Sequence, residues 1–205
     1  MYGCGFYDES DVFKVPIDKL STEGKKRWMK YFDPSVYLPY ASPQFFFING
    51  NKDLHNNVIP YHKTYSLLKK GRQVCIIPDM RHSHEAGWEP KEIRYFVESI
   101  ISDGPKFANV TYVLDKADEL EAVYRTFSSD SLSLAEFYYT NDLSSSNAER
   151  SWIKQEAKIN AKKGAITTAK PKDGYKYAFF TSKIRMGFRV PLRFLLKNEK
   201  RITAF

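Results

Sequence analysis

An acidic residue and two histidines follow two apolar runs, at positions where they could form an acid–base pair. The run Phe45–Ile48 ends at an Asn-Gly pair and is soon followed by Asp53, and the run Val74–Ile77 is followed by His82 and His84. A helix-like segment separates the runs, so the pattern predicts strand, acid loop, helix, strand and histidine loop. If the strands are parallel neighbours, both loops open at the carboxyl edge of the sheet, where open α/β sheets place their active sites.

The chemistry expected from such a pair is proton transfer. A carboxylate that accepts the Nδ1–H of an imidazole fixes its tautomer and stabilises the imidazolium that forms when the ring takes a proton. The alternative for Asp53 is an ordinary turn residue, because Gly-Asn-Lys-Asp is a composition that favours turns. Its place between a strand and a histidine loop favours the catalytic interpretation.

A metal site is the other interpretation of the histidine loop, because His82, His84, Glu85 and Asp79 are all of types that bind cations. Zinc sites usually take three or four well-spaced ligands, and His-x-His alone is a weak pattern. We therefore predict no metal ligands and no cofactor.

A nucleophile is missing from this pattern. Acid before histidine is the chain order of the α/β-hydrolase triad, whose serine stands upstream on a G-x-S-x-G turn. No such pentapeptide occurs in the 205 residues. The 52 residues before Asp53 are also too few for the earlier strands of that sheet, at about 30 residues per βαβ unit. The sequence predicts the C-terminal part of a hydrolase, inactive by itself.

A family resemblance supports this prediction. Residues 28–53 read WMKYFDPSVYLPYASPQFFFINGNKD and resemble the stretch before the acid in the acetylxylan esterase, dienelactone hydrolase and prolyl oligopeptidase-like group of α/β-hydrolases. Tyr2–Phe6 resembles the segment after the sixth strand of that group. Ser83–Glu85 is similar to the Gly-His-Glu around the catalytic histidine of related deacetylases. The resemblance covers about residues 2–103.

The resemblance implies a serine carboxylic-ester hydrolase in which Asp53 is the acid and His84 the base, with His82 as the second choice. The implied partner is an ester substrate, with acylated carbohydrates as one class, cleaved only when the missing N-terminal part supplies the serine. It also implies that residues 1–104 form the last strands and helices of an α/β-hydrolase sheet.

The second half of the chain has a different pattern, with short runs that often alternate and are separated by turn-forming residues. The seven runs are Val110–Leu114, Leu120–Phe127, Leu132–Tyr139, Trp152–Ile159, Ala165–Ala169, Tyr175–Phe180 and Phe188–Phe194. This spacing is typical of a β-sandwich, and the Tyr-x-Phe-Phe run near residue 180 resembles an immunoglobulin-like module, which hydrolases of that group often carry at this end. We therefore predict such a module over residues 105–205, and a non-catalytic binding protein built on it is the alternative function.

Helical spacing marks three further segments, at Thr22–Phe32, 57–70 and 89–103. The last carries an apolar stripe that is expected to pack on the sheet after the histidine loop. Its members are Ile93, Phe96, Val97, Ile100 and Ile101.

Composition restricts partners more than it identifies them. The net charge of +8 lies mostly in residues 105–205, where 18 basic residues face 11 acidic ones, yet these are dispersed and no nucleic-acid motif is present. No apolar run is long enough to span a membrane and no signal peptide is visible, so we expect no membrane partner. The compartment stays open, with a secreted or periplasmic parent as one option. Two cysteines do not make a disulfide framework.

Overall fold

The computed structural model describes residues 3–102, 107–125, 132–184 and 189–196. Parts of the sequence predictions lie outside these ranges, at residues 2, 103–104, 126–127 and 188. The described helices are α1 (Lys14–Asp18), α2 (Thr22–Phe32), α3 (Val58–Ser66), α4 (His84–Trp88) and α5 (Lys91–Ile101), with short 3₁₀ turns at Tyr7–Glu9, Pro34–Val36 and Leu38–Tyr40. The described strands are β1 (Phe45–Lys52), β2 (Arg72–Arg81), β3 (Asn109–Asp115), β4 (Glu119–Arg125), β5 (Leu132–Thr140), β6 (Ile153–Glu156), β7 (Lys158–Asn160), β8 (Ala165–Ala169), β9 (Tyr177–Ile184) and β10 (Arg189–Leu196).

The chain divides into two compact units, and each unit is made of several segments that alternate along the sequence. Of the residues that the structure describes, the first unit holds those up to Arg72 together with 77–89 and 145–150, and the second holds those in 73–76, in 90–144 and from Ser151 onward. The division at residue 104 that the sequence suggests stays a prediction.

The strands β1 and β2 pair, and α3 connects them. The amide of Phe45 donates to the carbonyl of Gly71 at 2.6 Å, and Gly50 lies against the carbonyl of Met80. The start of one strand is thus beside the start of the other, and their ends also meet, so the strands run in the same direction. The acid loop and the histidine loop follow these two strands, as predicted.

The N-terminal part of the first unit is organised by a second buried carboxylate. Asp33 has no exposed surface and accepts the backbone amides of Phe6, Tyr7 and Ser35 at 3.1, 2.9 and 2.7 Å. It also caps the 3₁₀ turn at Pro34–Val36. This carboxylate therefore ties the segment around Phe6 to the end of α2.

The second unit contains two four-stranded antiparallel sheets. Their strand orders are β10-β9-β5-β6 and β3-β4-β8-β7. Phe137 of β5 and Phe180 of β9 are paired across the first sheet, with ring centroids 4.8 Å apart, and both are fully buried. On the opposite face of the same strands, Tyr138 stacks on Phe179 at 5.1 Å.

The fold class predicted from the sequence is wrong. The described residues form one two-stranded and two four-stranded sheets, with more residues in strands than in helices. They do not form an α/β-hydrolase sheet followed by an immunoglobulin-like sandwich. The α/β class requires repeated βαβ units, and β1–α3–β2 is the one such unit in the part of the chain that the structure describes. The two antiparallel sheets have the strand orders given above, and among the described residues no helix lies between their strands.

Several individual elements are nevertheless confirmed. The helix expected at Thr22–Phe32 is α2, and the apolar runs before the acid and the histidines are β1 and β2. The run predicted at Trp152–Ile159 is two strands, β6 and β7. Over the described ranges, no helix is both long and apolar enough to cross a membrane.

We predict that any side chain at Gly50 lowers the stability of the protein, because the two parallel strands approach closely there. A methyl group added to it would lie 1.9 Å from the carbonyl oxygen of Met80. Overpacking usually costs 1–3 kcal/mol, and a clash with backbone belongs at the upper end, so Gly50→Ala should lower the free energy of unfolding by about 3 kcal/mol in urea denaturation. In the control Gly24→Ala, the added atom meets the Ser21 hydroxyl at 3.1 Å, and the change should be under about 1 kcal/mol because alanine favours α2. Equal stability of the two variants would contradict the pairing of β1 with β2.

Candidate acid–histidine site

The carboxylate of Asp53 is the centre of the candidate site. Its residue is 4% exposed and follows β1 directly. Its Oδ1 accepts the backbone amides of His55 at 2.7 Å and Asn56 at 2.8 Å, which is the geometry of an Asx turn. The backbone amides of the turn bind Oδ1, so the second oxygen, Oδ2, can accept from side chains, among them Nδ2 of Asn56 at 3.5 Å.

The imidazole of His82 occupies that second oxygen. Its Nδ1 lies 3.0 Å from Oδ2 and 3.2 Å from Oδ1 of Asp53. An ionised carboxylate can only accept, so Nδ1 carries the proton in this contact. The His82 side chain is 38% exposed, and its Nε2 makes no hydrogen bond with any described residue. The ring is therefore held at one nitrogen and open at the other.

His55 contacts both members of this pair. Its amide donates to Asp53, and its ring stacks on that of His82 with centroids 4.0 Å apart and planes tilted by 22°. Its carbonyl accepts the hydroxyl of Ser10 at 2.8 Å, and its ring edge faces Phe13. Sequence reasoning did not select His55, although its position two residues after the acid in a turn-forming segment is the signal that could have found it.

His84 lies elsewhere. It is exposed and begins α4, whose N-cap is Ser83, with the Ser83 hydroxyl accepting the amide of Ala86 at 3.0 Å. Among the described residues, the histidine that bonds to Asp53 is His82 and not His84. The catalytic assignment of His84 stays a prediction, but the contact expected of it is made by the second choice. The reason is local, since the capped helix begins before the loop could turn His84 toward the acid.

Two buried asparagines outside the acid loop hydrogen-bond to its backbone. Asn147 is fully buried, and its Nδ2 donates to the backbone carbonyl of Asp53 at 2.8 Å. Asn49, in β1, donates through Nδ2 to the carbonyl of Asn56 at 2.8 Å. Sequence reasoning missed both residues. Asn147 stands 94 positions from Asp53, and no local pattern signals such a contact.

Cys4 adds a buried thiol to this region. Its Sγ lies 3.5 Å from Oδ1 of Asn56. Burial raises the pKa of the Cys4 thiol to about 12, and the carboxylates of Asp33 and Asp53 act in the same direction. A thiol in this state is protonated at neutral pH, and a buried protonated thiol is a poor nucleophile.

The other residues considered as metal ligands do not converge. Asp79 has a positive φ of 60°, and its amide donates to Oδ1 of Asn51 at 2.6 Å. Within the described ranges, no three His, Cys, Asp or Glu side chains are grouped closely enough to hold a metal ion. The contact of Nδ1 with Asp53 and the exposed ring of His82 are a geometry in which Nε2 could exchange a proton.

Comparisons with known proteins add no assignment. No protein-family model, curated protein or solved structure matches the chain.

Asp53→Asn is predicted to reverse the tautomer of His82. The amides of His55 and Asn56 should keep the amide oxygen at the Oδ1 position, which places an NH₂ group opposite Nδ1 of His82. That donor requires an unprotonated Nδ1, so the neutral ring should carry its proton on Nε2. Proton–nitrogen correlation spectra of the imidazole rings measure this directly. The variant should also lose about 1–3 kcal/mol of stability, because hydrogen bonds to a charged group are replaced by neutral ones.

The matched control is Asp79→Asn, which removes the same charge without touching the pair. Its His82 signals should equal those of the unchanged protein. An unchanged His82 spectrum in Asp53→Asn would show that the contact at 3.0 Å does not set the tautomer.

The Cys4 thiol predicts a stability that falls at alkaline pH. The unfolded thiol loses its proton near its ordinary pKa of 9.0, whereas the folded thiol keeps it until about 12. The contribution is therefore fully present below pH 9 and is lost as the pH rises toward 12. Compared with Cys4→Ser, the unchanged protein should lose about 1 kcal/mol more between about pH 8 and about pH 10. Parallel urea titrations of the two proteins would contradict this if their difference were independent of pH.

Proposed function

We propose that this chain supplies the acid and the base of a serine carboxylic-ester hydrolase site, with Asp53 as the acid and His82 as the base. The nucleophilic serine would come from a polypeptide that carries the G-x-S-x-G turn, which this sequence does not contain. The substrate would be an ester, with acylated carbohydrates as one class. The proposal concerns the site alone and not the α/β-hydrolase sheet.

The observation that carries the proposal is the contact between Nδ1 of His82 and Oδ2 of Asp53 at 3.0 Å, with Nε2 left open. A triad histidine uses its two nitrogens in this way, because Nδ1–H bonds to the acid while Nε2 takes the proton of the serine hydroxyl. The chain order of acid before histidine and the resemblance of residues 28–53 support the same activity.

In this proposal each residue has a separate task. His82 accepts the hydroxyl proton at Nε2 as the serine attacks the ester carbonyl, and it returns the proton to the leaving alcohol. Asp53 holds the ring and stabilises its positive charge between those steps. His55 covers one face of the His82 ring and so limits its rotation, since the two rings lie 4.0 Å apart.

Complementation is the direct test. The chain is mixed with the N-terminal part of an esterase of the resembled group, which carries the serine and ends before its own acid. Neither polypeptide alone should hydrolyse p-nitrophenyl acetate faster than an albumin control, whereas the mixture should. His82→Ala in this chain should lower kcat by at least about a hundredfold, since a positioned general base contributes about 10²–10⁴. His84→Ala is the matched control and should keep the activity.

Other outcomes would contradict the proposal in different ways. Loss of activity in His84→Ala with activity retained in His82→Ala would show that the general base is His84. Activity retained in both variants, or no activity in the mixture, would reject the chain as the source of a catalytic histidine. The non-catalytic binding function would then be the better hypothesis.

A further inference from the structure

We infer that Asn147 is a positioning residue for the Asp53–His82 pair, acting on the acid loop from a segment that lies almost a hundred residues later in the chain. This rests on the proposed function for its catalytic meaning, but its structural content can be tested without any activity. It assigns a role to residues 145–150, which are part of the same compact unit as Asp53.

Each polar group of the Asn147 side chain has a partner. Nδ2 donates to the carbonyl of Asp53 at 2.8 Å, and Oδ1 accepts the amide of Val58 at 3.5 Å and Nη1 of Arg150 at 3.0 Å. Its own backbone amide donates to Oδ2 of Asp11 at 3.3 Å. A fully buried amide with this many partners has one allowed orientation. A 180° flip would place its NH₂ group against the donors of Val58 and Arg150, and its oxygen against the carbonyl of Asp53.

Asn147 contacts the backbone at both ends of the acid loop. Asp53 is the first residue after β1, and Val58 is the first residue of α3. One side chain therefore fixes both ends of the connection between the strand and the helix. On the same loop, Asn49 holds the carbonyl of Asn56.

The segment that carries Asn147 is itself held in place. The guanidinium of Arg150 donates to Oδ1 of Asn147 and, through Nη2, to the carbonyl of Ser145 at 3.2 Å. The ammonium of Lys52, the last residue of β1, bonds to the carbonyl of Arg150. These bonds close the segment on itself and attach it to the end of the strand.

The consequence for the pair follows from the direction of the Asp53 side chain. Its Oδ1 is fixed by loop amides and its Oδ2 faces His82, so the carboxylate can meet the imidazole only while the loop backbone keeps its place. Without Asn147, the buried carbonyl of Asp53 and the amide of Val58 each lose a partner, which favours a rearranged loop. Asn147 thus acts on His82 through Asp53 rather than by touching it.

The test variant is Asn147→Asp, which keeps the size and the acceptor but replaces the donor toward Asp53 with an oxygen. We expect the imidazole nitrogen signals of His82 to move toward a mixture of tautomers, because the carboxylate of Asp53 no longer holds one position. Signals of His84 should not move. Proton–nitrogen correlation spectra of the rings give both readings in one experiment.

The matched control is Ser146→Ala. Ser146 neighbours Asn147, and its hydroxyl accepts the amide of Glu149 at 3.4 Å, within the same segment. Its spectrum should equal that of the unchanged protein. If Asn147→Asp does not fold, Arg150→Lys decides the question, since lysine lacks the planar fork of two nitrogens that bonds to Asn147 and to the Ser145 carbonyl together, while Asn147 stays in place. We expect the same displacement of the His82 signals, with a smaller amplitude.

Unchanged His82 signals in a folded Asn147→Asp variant would overturn the inference, and so would unchanged signals in Arg150→Lys when the first variant does not fold. The complementation assay separates this result from the proposed function. Displaced His82 signals without esterase activity in the mixture would retain the positioning role and reject the enzyme. Esterase activity in the mixture together with undisplaced His82 signals would support the enzyme and reject the positioning role of Asn147.

Discussion

Removing a carboxylate from water costs free energy unless hydrogen-bond donors replace the water, and Asp53 is 4% exposed. The closest donors to it are the amides of His55 and Asn56 and the Nδ1–H of His82, and Nδ2 of Asn56 lies 3.5 Å from both oxygens. The first two come from its own loop and require the chain to turn immediately after β1. The third comes from the neighbouring strand and requires β1 and β2 to end together. The requirement to satisfy one buried group therefore accounts for both the shape of the loop and the place of the histidine.

Close approach of the two strands is the second condition. Gly50 lacks the Cβ that would collide with the carbonyl of Met80, so β1 and β2 can approach closely just before their ends. The amide of Asp79 reaches Oδ1 of Asn51 at 2.6 Å across the same gap. Asn-Gly-Asn in β1 thus has a function that differs from turn formation. One glycine permits the approach, and the asparagines on either side bind backbone groups: Asn49 binds the acid loop at the carbonyl of Asn56, and Asn51 binds the amide of Asp79 near the end of β2.

Local signals in the sequence predicted local structure well. Alternation and turn residues located the strands of the second unit, except that the run Trp152–Ile159 is two strands, and the helix expected around Thr22–Phe32 is α2. The two residues of the Asp53–His82 contact were among the candidates because both follow apolar runs. Fold class could not be obtained in the same way, because it depends on which strands become neighbours, and that is set by contacts between distant residues. The stripe on α5 shows the same limit, since Glu92 and Tyr95 are buried while Ile100 and Ile101 of the expected apolar face are exposed.

Which of the two histidines reaches Asp53 depends on local backbone structure that a motif comparison does not contain. Ser83 caps α4, and a capped helix start fixes the backbone of the residue that follows, here His84. His82 precedes the cap, directly after β2, where its ring can reach Asp53 while Nε2 remains open. Under the proposed function, the same geometry defines what a complementary polypeptide would have to supply. It would have to place a hydroxyl at Nε2 of His82 and exclude water from a ring that is 38% exposed, because proton transfer between the ring and solvent would compete with transfer from the nucleophile.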